Sequence, residues 1–289
     1  MNERYSTCDL HAHSTFSDGT LTPTELVELA EKLNLGAVAL TDHNTVAGLP
    51  EFVEAAQDKQ VAAVPGVEFS TEYRGIELHI LGLWIQPEQY GPVTDLLNEM
   101  VRRKDRSNFA LVEALRRQGI VLDYEKIKAS TPRGQVNRAL IALEMTRLGY
   151  TASVKEAFSN WLSEEKGYYQ PPRRLDALEV ISFIRSIGAV AVLAHPFLKL
   201  NEVQLREFIK DALPYGLDGM ETEYPLFSQE EILLARRIAD EFSLLHSGGS
   251  DFHGQAKPDI ALGTGKGALV VPMERYEKLL QQAKERMKD

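Results

Sequence analysis

Six of the seven histidines in this chain fall in short clusters with carboxylates. The clusters read Asp9-Leu-His11-Ala-His13 with Ser17-Asp18-Gly19 close behind, Thr41-Asp42-His43-Asn44, and Pro65-Gly-Val-Glu68. They continue with Leu78-His79, Leu193-Ala-His195-Pro196 and Gly249-Ser-Asp251-Phe-His253. Imidazole and carboxylate together are the ligand set of Zn, Mn or Fe, and so many ligands imply more than one ion. The chemistry of such a site is hydrolysis by a metal-activated water. Each cluster alone has an ordinary reading: a half-buried histidine pair, a turn at Ser17-Asp18-Gly19, or a core histidine at His79 between Leu78 and Ile80. Nine such residues together do not. His246, inside an apolar run, reads as structural instead.

The elements that must position these residues alternate between strand and helix. Apolar runs at 37–40, 61–68 and 78–85 read as strands. In a strand, alternate residues share a face, so Asp9, His11 and His13 are expected to point into one mouth. Thr22-Pro23-Thr24-Glu25 starts a helix, with Thr22 as N-cap, Pro at the first helical position and a capping-box Glu. That helix is expected to stop near Gly36 with a left-handed cap. A second helix covers 50–58. Residues 93–118, 135–147 and 153–162 read as helices without intervening strands. Alternation resumes with helix 176–187, strand 189–194, helix 202–212, strand 218–223, helix 228–241 and strand 243–247. The chain ends with the glycine-rich loop Gly263-Thr-Gly-Lys-Gly267, a short strand at 268–271 and a helix at 274–287. The loop lacks the spacing of a nucleotide P-loop. Alternation of this kind implies an α/β fold whose parallel sheet is closed, or nearly so, as a barrel, with the metal-type residues at strand C-termini. The domain division read from it is a barrel formed by 1–96 and 169–289 and a helical insertion at 97–168.

Composition narrows the function classes. With 289 residues, 44% hydrophobic and 26% charged, the chain can bury a full core. No apolar stretch approaches the roughly 18 residues that span a bilayer, and the N-terminus lacks the form of a signal peptide. The single cysteine, Cys8, leaves no internal disulfide and fits a cytoplasmic setting. The net charge of −10 argues against duplex DNA as a partner. Residues 97–168 hold 13 Lys/Arg against 9 Asp/Glu, so that segment is +4 and the remainder −14. An acidic body with a basic segment suits a small anionic substrate or the end of a single strand.

The set DLHAHSTFSDGTLTP, ALTDHNTVAG, PGVEFS, LHILG, VLAHP and SGGSDFHG resembles the polymerase-and-histidinol-phosphatase (PHP) family of metal-dependent phosphoesterases across nearly the whole chain. The resemblance implies a distorted seven-stranded (β/α) TIM-like barrel with two to three divalent ions, Mn, Fe or Zn, at the strand C-termini. By motif position, His11, His13, Glu68 and Asp251 hold one ion. Glu68 bridges to a second completed by His79 and His195, and Asp18, His43 and His253 hold the third. Asp42 is the candidate for orienting a ligand from behind. The layout is most similar to the stand-alone branch with a helical insertion, which includes nucleoside 3′,5′-bisphosphate phosphatases and 5′-to-3′ exoribonucleases. The branch's phosphate-binding segment falls on Arg133 and Gln135, the latter where histidine is usual, and Lys166 and Tyr169 lie in its lysine/tyrosine stretch. Asn44 replaces a usual Asp, and Phe197-Leu198 stands where Gly-Arg is common. Asp18, His195 and Arg133 are the residues implied to act on the phosphate. The expected reaction is hydrolysis of a phosphomonoester of a small nucleotide-like substrate, with a nucleoside 3′,5′-bisphosphate favoured. Exonucleolytic cleavage of short RNA, histidinol-phosphate hydrolysis and a noncatalytic metal-bound module are the alternatives.

Overall fold

Eight strands form one sheet: β1 (Cys8–Asp9), β2 (Ala37–Leu40), β3 (Ala62–Tyr73), β4 (Ile76–Leu83), β5 (Leu175–Asp176), β6 (Val190–Leu193), β7 (Gly219–Glu223) and β8 (Leu245–Gly248). The structure, a computed structural model, describes residues 5–131 and 136–288. Seven strands run in the order β1-β2-β3-β4-β6-β7-β8, with the short β5 pairing β3. The two ends of this path meet. Leu10 N donates to Gly248 O at 3.1 Å, Asp251 N donates to His11 O at 2.9 Å, and Ala12 bridges Phe252 in parallel. The sheet is therefore a nearly closed barrel. Among the described residues no helix is long and apolar enough to cross a membrane.

The chain divides into two compact units, one running through Thr94 and resuming at Leu175, the other Asp95–Arg174. The barrel unit carries helices α1 (Pro23–Lys32) and α2 (Leu49–Ala55); α3 (Tyr90–Arg116), α4 (Tyr124–Ala129), α5 (Arg138–Arg147) and α6 (Val154–Ala157) follow. After β5 come α7 (Ala177–Ser186), α8 (Glu202–Ala212), α9 (Gln229–Glu241) and α10 (Met273–Arg286). The helical unit has its own core of Leu111, Leu115, Ile120, Ile141, Met145 and Leu162. In the barrel unit, Leu10, Ala39, Val64, Leu81 and Val192 pack in one cluster with Leu279 and Ala283 of α10. All four residues of β2 and of β6 are buried, as expected of strands covered on both faces.

Three local expectations need correction. The sheet is not wholly parallel, because β4 runs antiparallel to both β3 and β6. A two-residue connection, Arg74-Gly75, with φ of 49° and 82°, joins Tyr73 to its partner Ile76. So short a link permits only a hairpin. The α1 capping box forms as read, with Thr22 and Glu25 reciprocally bonded, but the helix stops earlier, at Lys32. The left-handed residue is Asn34, at φ 57°, a residue type that tolerates this region. Gly36 is needed instead for close packing, since a Cβ there would lie 2.7 Å from Met273 Sδ and Tyr5 O. Residues 268–271 form no strand; Val271 O accepts from Cys8 N, and Thr7 and Pro272 make an isolated bridge.

Phe208, wholly buried on α8, sets its ring edge-on to Tyr73 with centroids 5.0 Å apart. Phe208→Ala is expected to lower unfolding free energy by about 3–5 kcal/mol, the usual cost of an emptied aromatic site, measured by urea titration.

Candidate metal centre

The site sits where the barrel strands deliver their ends. His11 and His13 follow β1, His43 follows β2, His195 follows β6, and Asp251 and His253 follow β8. Glu68 lies within β3 and not at its end, because β3 continues to Tyr73 before the hairpin. The antiparallel course of β4 brings His79, early in that strand, to the same mouth. Three of these positions have unusual backbone. His195 has φ 29°, Asp251 54° and Asn44 51°. Such conformations cost free energy and persist where the surroundings fix them. Asn44 is fixed from both sides: its side chain donates to Ser70 Oγ at 2.9 Å and accepts from Ser70 N at 3.0 Å, and its own N–H donates to Glu68 O. That pairing pins His43 beside Glu68, and it gives Asn44 a conformational role of its own.

Glu68 is completely buried and is contacted through both carboxylate oxygens. Oε2 lies 3.2 Å from His11 Nε2, 3.2 Å from His13 Nε2 and 3.0 Å from His43 Nδ1. Oε1 lies 2.7 Å from His79 Nδ1 and 3.0 Å from His195 Nε2. Asp251 Oδ1 is 3.2 Å from His13 Nε2 and 3.6 Å from His11 Nε2. At the solvent side, Asp18 Oδ1 is 3.3 Å from His253 Nε2, and Asp18 Oδ2 is 3.9 Å from His43 Nε2.

Three ligand sets therefore assemble, each with its donor atoms within 4.8 Å of one another: His11, His13, Glu68 and Asp251; His43, Glu68 and His79; and His13, Asp18, His43 and His253. The first is the set implied by the motif order. His43 belongs to both of the others, and His195 joins through its contact with Glu68 Oε1.

These residues fit divalent ions. His11 Nε2, His13 Nε2, His43 Nδ1 and Glu68 Oε2 are buried without a hydrogen-bond partner. Buried polar atoms without partners cost about 1–3 kcal/mol each. Ligand atoms about 2.1 Å from a common ion stand roughly 3.0–3.4 Å apart, which is the spacing found around Glu68 Oε2. The charges are balanced in the same way. Burial opposes the imidazolium of His11, but the carboxylates of Glu68, Glu221 and Asp251 outweigh it and raise its pKa well above the ordinary value. Burial likewise opposes ionisation of Glu68, yet His11, His13 and His195 hold it well below the carboxylate range. Asp18 is held low by its hydrogen bond with His253.

Behind the ligands stands a layer of polar groups that the sequence reading missed. Glu221, wholly buried on β7, accepts from His11 Nδ1 at 3.0 Å and from the His195 backbone N–H at 2.6 Å. This leaves His11 Nε2 as the free donor for an ion. A signal was available in the sequence: two acids, Glu221 and Glu223, alternate within a segment read as a strand covered by helices on either side in sequence. Tyr224 Oη and Lys257 Nζ both donate to Asp251 Oδ2 at 2.8 Å, which leaves Oδ1 turned to the histidines.

Asp9 does not enter the mouth with His11 and His13. It is clamped by the backbone N–H groups of Ser250 at 2.8 Å, Gly263 at 2.7 Å and His11 at 3.3 Å. Asp42 does not touch His43; it accepts from Ser14 N, Ser14 Oγ and Ser17 Oγ and so fastens the loop that carries Asp18. His246 bonds to Asp240 and Thr222, in keeping with a structural role.

Of the remaining candidates, Arg133 and Gln135 lie outside the described residues. Tyr169 belongs to the core of the helical unit, with the Arg138 guanidinium 4.1 Å over its ring, and Lys166 is exposed at the end of a short 3-10 turn.

Metal affinity is expected to rise with pH. The raised pKa of His11 and His13 means that the metal-free protein keeps protons there above the ordinary value of about 6.5. Stability from those imidazolium–carboxylate pairs is present below that value and is lost as pH climbs through the folded pKa. Bound ions must displace the same protons. Calorimetric titration with Mn between pH 6 and 8 should show tighter binding and fewer protons released as pH rises; affinity independent of pH would contradict this. Glu221→Gln should weaken metal binding about 10–100-fold, as loss of such a supporting carboxylate does, measured by the same calorimetric titration.

The PHP domain family model matches residues 9–190. A relative from Haemophilus influenzae named a 5′-3′ exoribonuclease is 33% identical over 88% of this chain and 91% of its own length. One from Chromobacterium violaceum named a 3′,5′-nucleoside bisphosphate phosphatase is 29% identical over 85% of this chain and 86% of its own. A crystal structure from Bifidobacterium adolescentis, described as a metal-dependent phosphoesterase, superposes with a TM-score of 0.65 at 29% identity and covers 95% of this chain and 96% of that one. With its barrel, its histidine and carboxylate clusters and these matches, the chain belongs to the PHP domain family.

Proposed function

We propose that this chain is a metal-dependent hydrolase of phosphate esters, and that its substrate is a small nucleotide-like phosphomonoester of the 3′,5′-bisphosphate type. The observation that carries the reading is Glu68, whose two oxygens each face a separate group of imidazole nitrogens. A carboxylate so placed would be shared by two neighbouring ligand sets, with His11 and His13 on one oxygen and His79 and His195 on the other. Both relatives' named activities cleave phosphate esters.

Bound divalent ions supply Lewis acidity toward phosphoryl oxygens and make water a nucleophile near neutral pH. The chain's own residues fix the geometry. Glu221 sets the His11 tautomer and ties down the His195 backbone, so that two ligands from different strands keep one spacing. Asp42 holds the Ser14–Ser17 turn, and with it places the exposed Asp18 at the mouth, where substrate arrives. Tyr224 orients Asp251 through its hydroxyl, while His11 and His13 outweigh burial and hold the Asp251 carboxyl below the usual carboxylate range. No protein nucleophile is needed. Cys8 is fully buried, and burial pushes its thiol pKa far up.

A second reading, exonucleolytic cleavage of short RNA, is favoured by the basic surface of α3. There Arg102, Arg103 and Arg106 all share the single carboxylate of Glu99, so the cluster keeps excess positive charge for a phosphate backbone.

Metal-loaded protein is expected to release inorganic phosphate from adenosine 3′,5′-bisphosphate. Asp18→Ala and His195→Ala should each reduce kcat/KM about 100-fold or more while the fold is retained. Wild-type turnover in either variant would remove that residue from the site. Release of mononucleotides from 5′-phosphorylated RNA, with salt sensitivity that grows with oligonucleotide length, would move the assignment to the second reading.

A further inference from the structure

The three carboxylates of the candidate ligand sets are not held alike. Glu68 gives both of its oxygens to ligand imidazoles. Asp18 turns Oδ1 to His253 at 3.3 Å and Oδ2 to His43 at 3.9 Å. Asp251 divides its oxygens between two tasks. Oδ1 stands 3.2 Å from His13 Nε2 and 3.6 Å from His11 Nε2. Oδ2 accepts from Tyr224 Oη and from Lys257 Nζ, each at 2.8 Å. A carboxylate oxygen offers about two lone-pair sites, so these two donors fill Oδ2 and leave Oδ1 alone for an ion.

Both the donors and the residue they hold are fixed. Tyr224 is buried, with its ring centroid 5.3 Å from that of His195 and 5.2 Å from that of Phe227. Phe227 in turn packs against Phe197 at 5.4 Å. The Tyr224 hydroxyl therefore cannot swing away without unpacking its ring. The main chain of Asp251 is tied as well: its N–H donates to His11 O at 2.9 Å, and its carbonyl accepts from His253 Nδ1 at 2.8 Å. The carboxylate torsion of an aspartate is otherwise soft. Tyr224 and Lys257 remove that freedom, and with it the option of presenting both oxygens to one ion.

We propose that Tyr224 and Lys257 are metal-selecting residues: by confining Asp251 to one coordinating oxygen, they favour Zn over Mn at the position framed by His11, His13, Glu68 and Asp251. The inference rests on the metal-centre reading and is independent of which phosphate ester is cleaved. With Oδ2 occupied, the set offers four single donor atoms, two nitrogens and two oxygens, which is the number and kind that Zn takes. Mn favours oxygen-rich sets and higher coordination. A second oxygen from Asp251 would add a fifth donor of the kind that suits Mn. Zn binds most nitrogen and oxygen sites more tightly than Mn in any case, so the clamp acts on the size of that gap. Both residues work through Asp251 and are positioning residues.

The test is equilibrium dialysis of the full-length protein against mixtures of Zn and Mn, with both metals counted per chain. In the double variant Tyr224→Phe with Lys257→Met, the Zn-over-Mn preference of one ion per chain should fall about tenfold, the scale on which outer partners influence a bound ion. Any further ions should keep the wild-type preference. Each single variant leaves one donor on Oδ2 and should show a smaller fall, and Lys257→Arg, which keeps a donor there, should retain the wild-type preference. Equal weakening of Zn and Mn with an unchanged ratio would mean that the two residues only support the fold, and it overturns the selection. A shift spread over every bound ion overturns it too. Wild-type protein that retains neither metal overturns the metal centre and the selection with it. No substrate is present, so a failure of the phosphomonoesterase reading leaves the result standing.

Discussion

A wholly buried carboxylate with histidine nitrogens on both of its oxygens is the constraint on which this structure turns. Glu68 is uncovered by water and contacted by five imidazoles. Such a group is costly to bury unless opposite charge surrounds it. Protons on the histidines satisfy it in part, and divalent ions would satisfy it more fully, since they would also engage the buried nitrogens that lack partners. The same feature that makes the site expensive to fold makes it a strong receptor for cations.

The rest of the barrel serves that arrangement. The five histidines reach Glu68 from β4 and from the segments after β1, β2 and β6, so their spacing depends on the sheet closing. Closure is secured at one point by short-range packing. Gly249 approaches so near that a Cβ would meet His11 Cβ at 2.4 Å and Asp9 Oδ1 at 2.9 Å. Asp9, from the first strand, then holds the loops at Ser250 and Gly263. A residue type associated with metal binding is here used to lock the ends of the barrel, and the ligands stand on the lock.

Much of the fold and site was readable from residue order. The α1 capping box, the apolar runs of β2 and β6, and the alternation after Leu175 have local causes, and their periodicity survives into the structure. The β3–β4 hairpin was less legible, because the deciding signal was two residues, Arg74-Gly75, between strands that were already apolar. Glu221 was invisible as a partner of His11, since 210 residues separate them and neither stands in a motif with the other. Asp9 was expected in the mouth because it alternates with His11 and His13, and Asp42 was read as orienting a ligand because it lies next to one in sequence. In space each bonds to backbone or hydroxyl groups of a loop instead.

Sequence by itself determined which residue types were present for chemistry and on what periodicity. Histidines and carboxylates cluster at the ends of apolar runs, and strand and helix signals are local properties of neighbouring side chains. Only the tertiary structure decided which of those acids join the candidate ligand sets and which fasten a loop, and how His43 is shared between two of those sets. The physical reason is that ligation and hydrogen bonding depend on separations of about 3 Å between atoms, and such separations are fixed by sheet closure and hairpin direction, which no window of neighbouring residues contains.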